Sequence, residues 1–245
     1  MKLPRRLPLL ATAVLAALVP LTPLHAAVDH GKLTVQDDFA RTESQEKTDE
    51  PGNGWATHRT ARAKGHKQVD LRDGAMQIFP SAETVRAVSV HHAAEFTDGT
   101  VALRFKLDDA RDSLGLDFAE LARNDVHAGH LFAARVSPQQ VLLQDLAAGT
   151  MRLNIHAART AKPKRTPDQQ QALFGKEKKI PAALAVGEWR DLLVKISGDE
   201  LSVTVDGQRL GTLKSPGIAH PTKKILRLAV PRNAVVDDVK IWRKN

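Results

Sequence analysis

The chain contains no cysteine and no tyrosine, and only three tryptophans among its 245 residues. Without cysteine there is no disulfide to staple a small core, no thiolate nucleophile and no thiolate metal ligand. A lipid-anchored bacterial precursor, which needs a cysteine just after its leader, is excluded as well. The shortage of aromatic rings argues against a module that grips long polymers on stacking platforms. A Gly-rich phosphate loop and a Gly-x-Ser-x-Gly elbow are also missing, which excludes P-loop nucleotide chemistry and the common serine hydrolases.

Charge is present but unfocused. Lys and Arg number 36 against 28 Asp and Glu, a net of +8. Setting aside Lys2, Arg5 and Arg6 at the extreme N-terminus leaves +5. The basic residues scatter along the chain and cluster once, between Arg152 and Lys179, without interleaved aromatics. No nucleic-acid partner is expected from that pattern.

The N-terminus reads as a leader rather than as part of a fold. Lys2, Arg5 and Arg6 form a basic start, Leu9 to Val19 is an apolar run, and Pro20 ends it before the small residues Ala26 and Ala27. The pattern is that of a cleavable signal peptide over residues 1–26. The run is short for a membrane span. The expectation is a secreted or periplasmic protein, not a lipoprotein, with no membrane insertion of the mature chain. Residues 27–245 then form one domain, and roughly 220 residues suffice for a sizeable core.

Beyond the leader the dominant signal is period-two alternation. Val101, Leu103, Phe105 and Leu107 face one way while Ala102, Arg104 and Lys106 face the other. The same rhythm predicts strands over 67–71, 75–79, 87–92, 113–118, 130–136, 140–146, 151–155, 189–196, 201–205, 208–213, 224–230 and 235–242. Asp73-Gly74 and Asp206-Gly207 mark hairpin turns. The rhythm breaks between Ala157 and Lys179, where Thr166-Pro167-Asp168 signals a helix start. The fold expected is all-β: an antiparallel β-sandwich or jelly roll with a short helical insertion.

Three groups of residues carry this pattern further. Asp37-Asp38-Phe39 stands near the start. Gly187-Glu188-Trp189-Arg190-Asp191-Leu192 comes later, with Val205-Asp206-Gly207. Val236-Asp237-Asp238-Val239 closes the chain. In this order they resemble the concanavalin A-like lectin/glucanase sandwich, and more narrowly the 3-keto-disaccharide hydrolase family. The resemblance covers nearly all of the chain beyond the leader. It implies a small saccharide or glycan partner oxidised at the sugar's third carbon, and cleavage by proton abstraction next to the ketone, elimination and hydration. It also admits a non-catalytic laminin G-like glycan-binding module of the cell envelope. Elimination needs a base, a cation or donor for the enolate oxygen and an acid for the leaving group, so His, Asp, Lys and Arg are the residue types of interest.

If Val88, Val90, Leu103, Phe105, Leu114 and Leu116 face the core, then His91, Arg104 and Asp117 face outward together, joined by Arg135 and Arg227. Asp117 and His91 are candidate catalytic groups, and Arg104, Arg135 and Arg227 candidate substrate-binding ones. The bland alternative is a solvated sheet face with cross-strand ion pairs. In the loop before Lys224, His220 is a candidate acid or base and Lys223 a candidate enolate stabiliser; alternatively this is a turn whose histidine bonds to backbone. His127 and His130 stand three apart before a strand. Two such histidines can share a metal if a third ligand arrives, but no metal site is assigned; a groove-edge role is open to either histidine, with His127 the candidate substrate-binding one, and strand parity with Phe132 gives His130 an inward, structural alternative. Trp55, in a Gly-rich loop, is the candidate stacking platform, whereas Trp189 and Trp242 read as core or edge packing. No organic cofactor is expected. Calcium between Asp37, Asp38, Asp237 and Asp238 is the one ion considered, against a plainer reading as edge and turn carboxylates. No sequence feature sets an oligomeric state.

Overall fold

The computed structural model describes residues 29–84, 86–160 and 165–244. The expected leader over 1–26 lies outside these residues. Fifteen strands form the body: β1 (Lys32–Asp37), β2 (Ala56–Thr57), β3 (Val69–Arg72), β4 (Ala75–Ile78), β5 (Val88–Phe96), β6 (Gly99–Lys106), β7 (Leu114–Ala119), β8 (His130–Val136), β9 (Gln140–Asp145), β10 (Glu177–Pro181), β11 (Arg190–Ser197), β12 (Glu200–Val205), β13 (Gln208–Lys214), β14 (Lys223–Val230) and β15 (Ala234–Arg243). Three short α-helices accompany them: α1 (Arg59–Ala63), α2 (Leu153–Thr160) and α3 (Pro167–Leu173). None of these helices is long and apolar enough to cross a membrane.

All strand pairs are antiparallel, and they make two sheets. One runs β13-β12-β11-β6-β15-β4-β3, with β1 also paired to β15; the other runs β10-β9-β8-β7-β14-β5-β2. The sandwich anticipated from alternation is therefore present. Its hairpins close where expected: Asp73, Gly74, Asp206 and Gly207 all adopt positive φ, the conformation a tight two-residue turn requires. The inner faces meet in one apolar core that includes Phe39, Met76, Phe105, Leu116, Phe118 and Phe132. Phe118 and Phe132 sit opposite each other on β7 and β8, and their rings stack at 4.8 Å. Each such phenyl burial contributes roughly 2–3 kcal/mol and fixes the central strands against lateral slip.

The insertion contains the predicted helix start. The Thr166 hydroxyl accepts from the Gln169 amide, the Gln169 side chain accepts from the Thr166 amide, and Pro167 takes the first helical position. This reciprocal capping is a strong local signal. Two expectations fail nearby. Residues 151–155 are not a strand: the chain turns tightly after Asp145, whose carboxylate accepts the Ala148 amide, and α2 begins at Leu153. Conversely, Glu177–Pro181 is a strand at the sheet edge against β9. Its Lys and Pro residues are typical of an edge that discourages further pairing, and they hid it in a basic, polar stretch.

Candidate functional site

A single row of residues crosses the seven-stranded sheet. Ala56, His91, Arg227, Asp117, Ala133, Gln144 and Glu177 stand side by side on β2, β5, β14, β7, β8, β9 and β10. Their neighbours along each strand, such as Val90, Leu226, Leu116 and Ala134, point into the core. Alternation therefore sets the whole row on the outer face. The row on one side holds Ser89, Ala229, Gly115 and Arg135; the row on the other holds Ala93, Ile225 and Ala119. These flanking residues are mostly small, so the bulk on this face belongs to the central row.

His130 joins this row from the start of β8. Of its two alternatives, the inward one required by parity with Phe132 does not hold, because the β7–β8 ladder shifts register between Phe118 and Ala119. A bulge of this kind re-aims a side chain. Ahead of it, Ala128 and Gly129 both take positive φ, and a Cβ on Gly129 would lie 2.4 Å from the Glu120 carbonyl oxygen, so only glycine fits there. The His130 Nδ1 consequently reaches the Asp117 Oδ2 at 2.5 Å. Arg227 lies alongside, with Nη1 3.3 Å from the same Nδ1 and Nη2 donating to the Ala128 carbonyl at 3.0 Å. A carboxylate can only accept, so in this contact Nδ1 carries the proton; Arg227 is then a neighbouring charge rather than a donor to Nδ1, and in the neutral ring Nε2 is the acceptor.

On the other side of Arg227, the rings of His91 and His58 approach at 4.6 Å. Burial, followed by the positive charges of Arg62 and Arg227, holds the His58 imidazole below its ordinary range. Burial, then His58 and Arg227, does the same for His91. Both are neutral at pH 7. Burial also lowers Arg227, opposed by the attraction of Asp117, and its guanidinium stays charged. Two buried polar atoms in this cluster, Asp117 Oδ1 and His91 Nδ1, have no hydrogen-bond partner. Unpaired buried polar atoms are costly and mark places where a ligand or water completes the structure.

The structure thus brings together His91, Asp117 and Arg227 as anticipated. Arg135 stands exposed one row away, and His127 stacks on His156 at 3.8 Å at the edge, 6.3 Å from His130. Four expectations are corrected. Arg104 lies on β6 in the other sheet, between Asp191 and Asp237; alternation tells which residues point out but not from which sheet. Trp55 is buried against Phe39 and His92, and its indole N–H donates to Asp37 at 2.9 Å, so it is no platform. Lys223 is fully buried and donates to the Thr97 carbonyl, facing the core. His220 is turned to the Thr222 carbonyl at 2.8 Å, the backbone-bonded turn. His130 and His58 were missed as partners of Asp117 and His91, and no sequence signal announces the bulge or the β2–β5 pairing that places them.

The terminal strands do lie side by side, β1 on β15. Their carboxylates, however, have separate partners. Burial pushes the Asp37 carboxyl up, but Arg41 and the Phe39 amide outweigh it and hold it below its ordinary value. Asp238 pairs with Lys240, and Asp237 faces Arg104. Among the described residues no group of three or more His, Cys, Asp or Glu side chains is placed to hold a metal ion.

No protein-family profile matches the chain, and no curated sequence matches it significantly. Solved structures do. The laminarinase from Rhodothermus marinus superposes with a TM-score of 0.56 at 13% identity, covering 87% of this chain and 98% of that one. Porphyranase B from Zobellia galactanivorans gives 0.54 at 16% identity, covering 86% and 92%. The carbohydrate-binding module CBM66 from Bacillus subtilis gives 0.50 at 12%, covering 80% and 97%. At these identities the likeness is one of fold: an antiparallel jelly-roll sandwich of the concanavalin A-like kind.

Proposed function

We propose that residues 27–245 form one secreted carbohydrate-active domain that cleaves 3-keto-glycosides on the outer face of the seven-stranded sheet. The observation that carries this reading is the Asp117–His130 pair, 2.5 Å apart, with the Arg227 guanidinium beside it. The leader pattern over residues 1–26 supports export, and the fold of the neighbours supports a saccharide as the ligand.

The chemistry follows from what the row offers. A glycosidase that works with two carboxylates needs them roughly 5–9.5 Å apart. The other carboxylate in this row, Glu177, is three strands from Asp117, or about 14 Å at the usual strand spacing. Within this row the working unit is therefore not a carboxylate pair but a histidine base oriented by a carboxylate. His130 Nε2 takes the proton from C2 of the sugar, next to the C3 ketone. The C–H electrons form the C2–C3 double bond and the ketone oxygen becomes an enolate, held by Arg227. The enolate then reforms the ketone, a C1–C2 double bond forms, and the C1–O bond breaks. The leaving oxygen takes a proton from His130, now an imidazolium. Water adds its hydroxyl to C1 and a proton to C2, restoring the 3-keto sugar.

The test is incubation of the purified protein with 3-keto-trehalose or a 3-keto-glucoside in D₂O. Release of the second sugar or aglycone is expected, with deuterium at C2 of the product. Asp117→Asn removes the partner that fixes the His130 tautomer and lowers kcat by about 10²–10⁴. Binding without turnover or deuterium uptake overturns the catalytic reading in favour of a glycan-binding module.

A further inference from the structure

The opposite side of the molecule carries a cleft. It lies on the outer face of the eight-stranded sheet and has a volume of about 390 Å³, within the ~300–1,000 Å³ range of small-molecule sites. Its floor is apolar: Ala102 on β6 and Leu193 on β11 face each other there. Trp242 on β15 forms one wall. Trp242 stands opposite Thr100 on β6, and the far end of the cleft is marked by Arg104 on the same strand. Four residues of strand separate them, about 13 Å. Beyond that end, the Arg104 guanidinium lies over the ring of Trp189 at 5.0 Å, and Trp189 is 37% exposed. Two of the chain's three tryptophans therefore bracket one cleft.

The rim is charged but balanced. Arg104 and Lys240 stand against Asp191 and Asp238. Lys240 is 2.8 Å from Asp238, and Arg104 is 4.0 Å from Asp191 and 3.4 Å from Asp237. Neither an anion nor a cation gains from such a rim, whereas hydroxyls can bond to every member of it. His30 adds a specific demand: its ring packs 5.0 Å from Trp242, it lines the cleft, and its Nδ1 is buried without a hydrogen-bond partner. An indole wall, an apolar floor, a neutral polar rim and one unpaired ring nitrogen fit a ligand with an apolar face and a hydroxylated edge. We propose that this cleft is a second saccharide site, selective for uncharged pyranose chains and independent of the Asp117–His130 face. It binds an unoxidised oligosaccharide without reacting with it.

The protein reports on this site directly. It has no tyrosine, and its remaining tryptophan, Trp55, is buried. Titration with cellohexaose, laminarihexaose and maltohexaose, read by tryptophan emission, is expected to give a saturable change with at least one of them. Trp242→Ala weakens that binding by about tenfold or more, which corresponds to about 1.4 kcal/mol. Leu193→Glu, which keeps all three tryptophans and puts a carboxylate on the apolar floor, abolishes the change, while Asp117→Asn leaves it intact. Melting curves check that each variant is folded. Absence of a saturable response to all three hexaoses overturns the proposal. So does a response lost in Asp117→Asn but kept in Leu193→Glu, which places the sugar on the other sheet. Sedimentation is the third arm: a dimer that Leu193→Glu converts to monomer assigns the cleft to contact between copies instead.

Discussion

Replacing Lys223 with methionine should stabilise the protein at neutral pH and stop doing so in alkali. The Lys223 side chain is fully buried, between the sheets, with its ammonium 5.9 Å from the centre of the Phe132 ring. It donates a hydrogen bond to the Thr97 carbonyl. Burial pulls its pKa from 10.5 down to about 8, against the weak opposing pull of Asp98. In the unfolded chain the ordinary value near 10.4 returns. Between about pH 8 and 10.5 the unfolded state thus binds a proton that the folded state does not, so stability rises with pH across that window. At about 1.36 kcal/mol per pH unit, the buried charge costs ~3 kcal/mol below pH 8 and almost nothing above pH 10.5. Methionine removes that cost and fills similar space, but orphans the Thr97 carbonyl at about 1 kcal/mol. The net expectation is a gain of about 2 kcal/mol at pH 7, reversing to a loss of up to about 1 kcal/mol at pH 10.5. Urea unfolding of both proteins at pH 7, 8, 9 and 10 measures it, because all other titrations are shared and cancel in the difference. A difference independent of pH over that range would refute the reasoning.

Two further outcomes follow from the contacts described. Trp55→Phe keeps the apolar packing against Phe39 but removes the N–H that Asp37 accepts; urea unfolding should show a loss of about 1–3 kcal/mol with an unchanged slope. His58 and His91 have lowered folded-state values, so the unfolded chain takes up their protons first as pH falls below about 6.5. Stability contributed by the neutral pair is lost downward from that point, and His58→Gln with His91→Gln should flatten the acid side of a melting-temperature profile.

The architecture was legible because each strand carries its own alternation and each tight hairpin its own Asp-Gly pair. What alternation cannot carry is the identity of a strand's neighbours. Val101 to Leu107 reads the same whether β6 lies in one sheet or the other, and Arg104 was accordingly grouped with Asp117 and His91 across the thickness of the sandwich. His130 was misdirected by a single extra residue in the ladder, a local event decided by how β7 and β8 pair. Trp55 shows a third limit: its Gly-Asn-Gly surroundings describe an exposed loop, yet the indole is drawn inward by an acceptor 18 residues earlier. Residues recruited by a neighbouring strand or by a buried polar atom leave no periodic trace.

The position of β14 has a consequence for how the protein comes into being. It lies between β5 and β7, though it follows β7 by more than a hundred residues in the chain. A polypeptide emerging from a ribosome or an export channel can form the β7–β8–β9 meander early. It cannot set His91 and Asp117 on either side of Arg227 until residues 223–230 arrive and fill the slot. Until then β5 and β7 each present an unpaired edge to any strand available. The face that would hold a sugar is the last part of the seven-stranded sheet to exist, and a chain cut before Lys223 would have neither the site nor a protected sheet.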